Sequence, residues 1–167
     1  MQMSQTGLTI IELLLSLVIM ALLAMLALPH FQSLAQQTRV RGAGSVVYTH
    51  LQLARSEAIK RNASITVCFS GSGTPDWQYQ VLVLSHASNC NSPVIEVLEQ
   101  ANSQQFSGVI LTAAYPDPLL IFKPRRSTLL AGSFTLSQDS HRLKVITWNN
   151  SIIRTCSDSQ LLGVPPC

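Results

Sequence analysis

The chain has 167 residues, enough for one domain and an appendage but too few for two ordinary domains. It is 47% hydrophobic and 11% charged, and its mean hydropathy of +0.27 is high for a soluble protein, so part of it is expected in lipid. The formal net charge of +3 is too small by itself to indicate nucleic-acid binding.

The first predicted element is an apolar helix at residues 8–28, where Thr9, Glu12 and Ser16 are the only polar side chains. About 20 apolar residues span a bilayer as a helix. A secretory signal peptide would have a shorter apolar run preceded by Lys or Arg, and residues 1–7 contain neither. A plain anchor does not explain Glu12, because an ionised carboxylate in hydrocarbon costs about 3 kcal/mol or more.

The sequence GLTIIE at residues 7–12, followed by the apolar run, resembles the class III signal of type IV pilins and type II secretion pseudopilins. This resemblance implies that prepilin peptidase cuts between Gly7 and Leu8, and that the new N-terminus is usually methylated. It makes Glu12 the fifth mature residue and puts Pro29 where pilins commonly carry proline. Leu8 departs from the usual Phe, and the leader lacks the usual Lys or Arg.

The resemblance gives Glu12 a role in assembly. Cleavage creates an α-amino group at Leu8, and the amine of one subunit can pair with Glu12 of its neighbour when subunits stack. A buried charge is tolerated when it is paired. The alternative is that Glu12 is an acid tolerated near a membrane interface.

The helix is predicted to continue past Pro29, which removes one backbone hydrogen bond, to about Lys60. Apolar residues in its second half recur at helical spacing and form one stripe: Ala43, Val47, Leu51, Ala54 and Ala58. Gly42 and Gly44 weaken this half by up to about 1 kcal/mol each. We expect the stripe to pack on a globular head.

From Ser64 the apolar period changes to two, which predicts β-strands. The predicted strands are residues 64–70, 78–85, 93–98, 106–112, 119–123, 133–137, 142–148 and 151–155. The sequence WNNS at residues 148–151 predicts a two-residue hairpin turn, because Asn tolerates positive φ. The predicted fold class is α+β, and the resemblance makes it the type IV pilin fold, a long N-terminal α-helix packed on a mainly antiparallel β head. The expected parts are a leader at 1–7, a transmembrane and fibre-core helix at 8–30, an amphipathic half at 31–62 and a globular head at 63–167.

Four cysteines in a membrane-anchored chain suggest two disulfides outside the cytosol. Three connectivities are open. The sequence-local pairs, Cys68 with Cys90 and Cys156 with Cys167, are favoured because each closes a modest loop, worth about 3 kcal/mol. A zinc site is disfavoured, since the sequence has no CxxC and no histidine at ligand spacing.

A second resemblance covers the head. Residues 54–68 (ARSEAIKRNASITVC) resemble the helix-to-strand junction of the GspH/FimT group, which includes the FimT and FimU minor pilins. Trp77, the LLIFKP strand, the RLKVITW strand and a basic C-terminal hairpin follow in the order of that group. The group implies a minor pilin of a type IV pilus that primes assembly or lies at the tip. A pseudopilin of a type II secretion system is an alternative.

The resemblance also implies partners and a location. The partners are prepilin peptidase, other major and minor pilins, and the inner-membrane assembly machinery. The chain would cross the inner membrane once with its head in the periplasm and then enter a fibre at the cell surface. The loop between Cys156 and Cys167 resembles the pilin C-terminal loop, and secretion pseudopilins of the group usually lack that pair, which favours a pilus.

Basic residues are absent from 62–122 and return in the last part of the chain, at Lys123, Arg125, Arg126, Arg142, Lys144 and Arg154. Transforming members of the FimT branch carry a Gly-Arg-x-Arg motif near the C-terminus. Residues 151–154 correspond to it, and only Arg154 matches. Phosphate binding needs several cations together. Binding of double-stranded DNA for natural transformation is therefore a hypothesis, and contacts with acidic faces of neighbouring subunits are the alternative.

No catalytic pattern is found in the sequence. Asp139, Ser140 and His141 have the residue types of a hydrolase triad, but adjacent residues on a strand point to opposite faces. The histidines are scattered and form no metal motif. We expect no enzyme activity, no cofactor and no metal.

Overall fold

A computed structural model of the protein describes residues 9–124, 130–149 and 152–167, without the side chains at positions 29 and 30. Several sequence predictions lie outside the described residues. They are the cleavage site at Gly7 and Leu8, the cations Arg125 and Arg126, and two residues of the predicted turn, Asn150 and Ser151.

Helix α1 runs from Ile10 to Arg61 and is continuous through position 29, as predicted. The chain divides into two units, Met1–Ala35 and Gln36–Cys167. In the first, every described side chain of residues 10–28 is exposed; we call these residues the apolar segment. An 18-residue window of α1 has a mean hydropathy of 2.7 and no buried residue, so it is long and apolar enough to cross a membrane. We call Gln36–Cys167 the globular unit.

Within the globular unit, α1 buries the stripe that the sequence predicts. Ala43, Val47, Leu51, Ala54 and Ala58 are each at most 3% exposed. Three- and four-residue spacings put these side chains on one face of the helix. This face is the helical wall of the core.

The remaining elements are β-strands, and each predicted strand is present. Their bounds are β1 Ile65–Ser70, β2 Gln78–Leu84, β3 Val94–Asn102, β4 Ile110–Ala114, β5 Leu119–Phe122, β6 Gly132–Gln138, β7 His141–Thr147 and β8 Ile153–Cys156. They form one sheet of order β3-β2-β1-β5 and another of order β4-β6-β7-β8, and every pairing between them is antiparallel. The predicted fold class is confirmed.

Two strand boundaries differ from the sequence prediction by four residues. Strand β3 extends to Asn102, beyond the predicted end at residue 98, because Gln78 of β2 pairs with Asn102 and holds the polar stretch in register. Strand β4 begins at Ile110 instead of residue 106, because a short 3₁₀ turn at Ser103–Gln105 and a turn at Gly108, with φ of 80°, come first.

One core joins α1 and both sheets within the globular unit. Its aromatic centre is Phe134, whose ring lies 5.4 Å from that of Phe69 and 5.0 Å from that of Tyr115. Trp77 is 1% exposed, and its Nε1 donates to the carbonyl of Val109 at 2.7 Å. The indole N–H is therefore buried without loss of its hydrogen bond.

Candidate functional site

The first turn of α1 holds the only acid of the apolar segment in a capped helix start. The Glu12 amide donates to the Thr9 carbonyl at 3.1 Å, and at a longer 3.4 Å to Thr9 Oγ1. Thr-x-x-Glu before an apolar run is the pattern of a capping box, and an acid in the first turn is favoured by the helix dipole. The capping contact of Thr9 was not predicted, although the Thr-x-x-Glu pattern in the sequence indicates it.

The apolar segment exposes its large apolar side chains along its whole length. Large side chains such as Ile10, Met20 and Leu26 are 82%, 68% and 70% exposed. An apolar helical surface of this length is stable only in lipid or against other apolar helices.

The C-terminal tail is fixed to the second sheet. Cys156 at the end of β8 is bonded to Cys167, with their Cα atoms 4.9 Å apart. Between them the Ser157 amide donates to the carbonyl of Pro165 at 2.9 Å, and Leu161 is 2% exposed. The tail is therefore a closed loop with an apolar residue inserted in the core.

The second disulfide fixes the loop after β2. Cys68 in β1 is bonded to Cys90, with their Cα atoms 5.8 Å apart. In the same loop the carbonyl of Ala87 accepts a 2.8 Å hydrogen bond from Oγ1 of Thr66, which is fully buried. The loop thus covers the side of β1 that faces away from the core. Both bonds are the sequence-local pairs favoured above.

The second sheet gathers three of the predicted cations. Arg142 and Lys144 alternate with buried residues along β7, and Arg154 of β8 lies opposite Ile146. Residues 142, 144, 146 and 154 therefore share the face that points away from the core. Arg154 is a diagonal neighbour of Lys144, a relation that separates residues by about 7–8 Å. We call Arg142, Lys144 and Arg154 the basic face.

Lys123, another predicted cation, is not part of the basic face. Lys123 follows β5 of the first sheet and is exposed. On the basic face itself, Lys144 Nζ lies 2.5 Å from Oδ2 of Asp158, which neutralises part of its charge.

Charged residues also connect α1 to the edge strand β3. Arg61 Nε lies 2.6 Å from Glu57 Oε2, and the same guanidinium forms an ion pair with Glu96 of β3. The hydrogen bond from Arg61 is the main cause that lowers the pKa of both carboxyl groups. These contacts hold the end of the helix against the sheet.

His50, Tyr79 and Glu99 form a polar cluster with the residue types of a proton relay. His50 Nδ1 lies 3.0 Å from the Tyr79 hydroxyl, and His50 Nε2 lies 3.6 Å from Glu99 Oε2. Burial lowers the pKa of His50, while Glu99 acts in the opposite direction, and burial raises the pKa of Tyr79. Tyr79 is 2% exposed and stacks on Trp77, so this end of the cluster is part of the packed core.

Asp139, which belongs to the triad-like sequence at residues 139–141, forms a turn and a hydrogen bond to α1. Asp139 adopts a φ of 51° in the turn between β6 and β7, and its Oδ2 accepts a 2.6 Å hydrogen bond from Gln36 of α1. Within residues 9–124, 130–149 and 152–167 there is no group of three or more His, Cys, Asp or Glu side chains that could hold a metal ion.

Two solved structures resemble this chain. Both are crystal structures of the type IV minor pilin FimU of Pseudomonas aeruginosa, in two crystal forms. One has a TM-score of 0.53 and covers 74% of this chain and 98% of FimU, and the other has a TM-score of 0.57 and covers 77% and 96%. Sequence identity is 17% in both, so the likeness establishes the pilin fold.

Sequence comparison identifies the family. No curated protein matches the chain significantly. The family model described as "Type II transport protein GspH" matches residues 43–151, which is more than half of the chain and includes most of α1 within the globular unit and strands β1–β7. The chain therefore belongs to the GspH family and is a pilin-like protein of the GspH/FimT type.

Proposed function

We propose that the protein is a minor pilin of a type IV pilus, of the FimT/FimU kind, which primes assembly or lies at the tip. The observation that carries this proposal is the apolar segment, which is fully exposed along residues 10–28 and has a single acid in its first turn. A subunit of this form needs lipid first and apolar neighbours later.

The proposed maturation begins at the membrane. Prepilin peptidase removes residues 1–7 by cutting between Gly7 and Leu8, while the chain crosses the inner membrane with its head in the periplasm. Residues 8–30 then serve as the transmembrane and fibre-core helix, residues 31–62 as the amphipathic half, and residues 63–167 as the head. Pro29 marks the end of the membrane portion. The role is structural, with no catalytic step and no cofactor.

The mass of the mature protein tests the cleavage. We expect fibre-associated protein to begin at Leu8 and to carry a methyl group on its amine. Gly7→Val should leave the leader in place and keep the chain in the membrane. Wild-type protein that still begins at Met1 in the fibre fraction would overturn the proposal.

Glu12 is proposed to pair with the N-terminal amine of a neighbouring subunit. An uncompensated charge buried in a fibre core costs several kcal/mol, so loss of the pairing should reduce incorporation by about tenfold or more. Glu12→Gln is the informative variant, because glutamine can also serve in a capping box but carries no charge. The chain should insert in the membrane normally and be depleted from sheared fibres; equal incorporation of wild type and Glu12→Gln would exclude the charge pairing.

A second candidate function is capture of double-stranded DNA for natural transformation. The observation that favours it is the basic face, where Arg142, Lys144 and Arg154 lie together. Cations bind the phosphates of the duplex backbone. Three cations, one of them paired with Asp158, make a small electrostatic surface.

Mobility shifts of duplex DNA with the full chain in detergent micelles test this candidate. Arg154→Ala should weaken binding and lower the salt slope by about 1, whereas Arg39→Ala, an equal charge change on α1, should not. Absence of a shift at low salt would exclude the DNA function without affecting the pilin proposal.

The third candidate, a pseudopilin of a type II secretion system, shares the fold and the family. The bond between Cys156 and Cys167 favours the pilus, because an exposed fibre benefits from covalent closure of the tail. Deletion of the gene separates the two, since loss of surface fibres with normal secretion supports the pilus.

A further inference from the structure

An open groove of about 460 Å³ lies in the globular unit, between one face of α1, strands β7 and β8, and the C-terminal tail. Its lining residues are Thr38, Arg41, Gly42, Ser45, Tyr48, Leu143, Thr155 and Val164. The groove is separate from the basic face, because Leu143 and Thr155 alternate with the residues that form that face.

The lining of the groove has one charge and several hydroxyl groups. Among the lining residues that the structure describes, Arg41 is the only cation and none is acidic. The hydroxyls belong to Thr38, Ser45, Tyr48 and Thr155. The Tyr48 hydroxyl accepts a 3.1 Å hydrogen bond from Gln52 Nε2, which leaves its proton available to an acceptor in the groove. A guanidinium surrounded by hydroxyl donors matches a carboxylate.

Comparison of two glycines of α1 gives an independent indication, from Gly42, that something approaches the helix here. A Cβ on Gly44 would lie 2.4 Å from Leu143 Cδ2, so the packing of β7 explains that glycine. A Cβ on Gly42 would have no heavy atom within 4 Å among the described residues outside the local helix backbone, so no described packing contact requires a glycine there. Glycine inside a helix is unfavourable relative to alanine. Gly42 lines the groove, where its missing side chain keeps the backbone accessible.

We propose that this groove docks a neighbouring subunit of the fibre, which inserts an acidic side chain against Arg41 and packs over Gly42. The inference rests on the proposed function as a pilin. Charge complementarity decides the occupant: one arginine matches one carboxylate, whereas a polyanion such as DNA needs several cations acting together.

Site-specific photo-crosslinking in cells that assemble the fibre tests the groove with the full chain. Benzoylphenylalanine replaces Thr49, which is exposed one helical turn beyond Ser45, and in a control strain replaces Ile59, which is 54% exposed near the end of α1. We expect Thr49 to capture a pilin, identified by mass spectrometry through a peptide that contains Asp or Glu, and Ile59 not to capture it. Equal capture at both positions, or capture of nucleic acid or lipid only, would overturn the proposal.

Variants of the groove supply the second measurement. Arg41→Glu and Gly42→Leu should each lower the crosslink yield at Thr49 by about tenfold, as expected for loss of one good interfacial contact. Arg41→Lys should restore part of the yield, because lysine keeps the charge but not the planar fork. Once the captured acid is known, its replacement by lysine should restore crosslinking to Arg41→Glu.

Variants of Gly42 and Gly44 distinguish an effect on docking from an effect on folding. Gly42→Ala should raise the folding equilibrium constant of the globular unit by up to about fivefold and still lower the crosslink yield. Gly44→Ala should lower the unfolding midpoint because Leu143 must move. Retention of full crosslinking by Gly42→Ala and Gly42→Leu would contradict the docking role.

Failure of this inference is distinguishable from failure of the pilin function. If wild-type protein is cut at Gly7 and enters fibres, and Arg41→Glu enters equally well, the groove proposal alone fails. If wild-type protein never enters fibres, the proposed function fails.

Discussion

The apolar segment and the globular unit contain apolar side chains of similar size in opposite environments. Along residues 10–28 every side chain is exposed, whereas in the globular unit Leu51, Val67 and Phe134 are each at most 1% exposed. The globular unit therefore has a core of its own, formed by α1 and the two sheets, and two disulfides close its loops.

In the apolar segment, the backbone has its interactions satisfied within the helix, unlike the large apolar side chains. Its helix satisfies its own backbone hydrogen bonds, but its large apolar side chains are exposed and need lipid or other helices. The contrast predicts that a substitution in the globular unit changes stability, and that a substitution in the apolar segment changes membrane retention or assembly instead. Each of the following changes tests that division.

The largest expected effect is that of Phe134→Ala, which empties the aromatic centre of the core. Removal of a buried phenylalanine costs about 3–5 kcal/mol of unfolding free energy. Urea unfolding of the full chain in micelles measures it, followed by the fluorescence of the buried Trp77 in a Trp148→Phe background. Phe31→Ala is the matched control, because Phe31 is 71% exposed and lies in the first unit. An equal loss of unfolding free energy in Phe134→Ala and Phe31→Ala would contradict the division between the globular unit and the apolar segment.

Removal of the tail disulfide should have the next largest effect. Cys156→Ser with Cys167→Ser opens a loop whose ends are 11 residues apart and should cost about 3 kcal/mol. The midpoint of urea unfolding should fall, and a reductant should shift this variant less than the wild type. The double replacement of Cys68 and Cys90 should give a similar loss. No change in midpoint in either variant would show that the tail and loop are held by packing alone.

Loss of the ion pairs at the end of α1 should have a smaller effect. Arg61→Ala removes the link from Glu57 to Glu96, and because solvent screens these side chains we expect only a small loss of unfolding free energy at low salt. The difference from wild type should shrink in concentrated salt. Lys60→Ala is the control, since the side chain of Lys60 is 76% exposed and its described ion pair, with Glu57, lies within α1. A larger loss in Lys60→Ala would contradict the role of Arg61.

The smallest effect is a pH dependence through His50. Burial lowers the pKa of His50 in the folded state from its ordinary 6.5, so protonation favours unfolding. Its contribution to stability is fully present above pH 6.5 and is lost as the pH falls below that value toward the folded-state pKa. The unfolding midpoint should decline over that window in the wild type and less in His50→Gln. His86→Gln, at an exposed loop position, should keep the wild-type profile.

Much of the fold could be predicted because its signals are local. The helical spacing from Ala43 to Ala58 identified the buried face of α1, and alternating apolar residues identified each strand. The strand ends that were wrong depended on long-range pairing, as at Asn102, which is held in β3 by Gln78. Of the candidate site, the sequence predicts an assembly role for Glu12, and the Thr-x-x-Glu pattern could also have predicted the contact of Thr9 with the Glu12 amide.

The sequence by itself determined the exposed apolar helix with its single acid, the α+β class and the antiparallel head, because composition and period act over a few neighbouring residues. Only the tertiary structure decided which strands form each sheet and that Arg142, Lys144 and Arg154 share a face. It also distinguished Gly44, which contacts Leu143, from Gly42, which faces the open groove. Two glycines in the same local sequence are equivalent until distant residues pack around them, and for that reason the docking groove is a property of the fold.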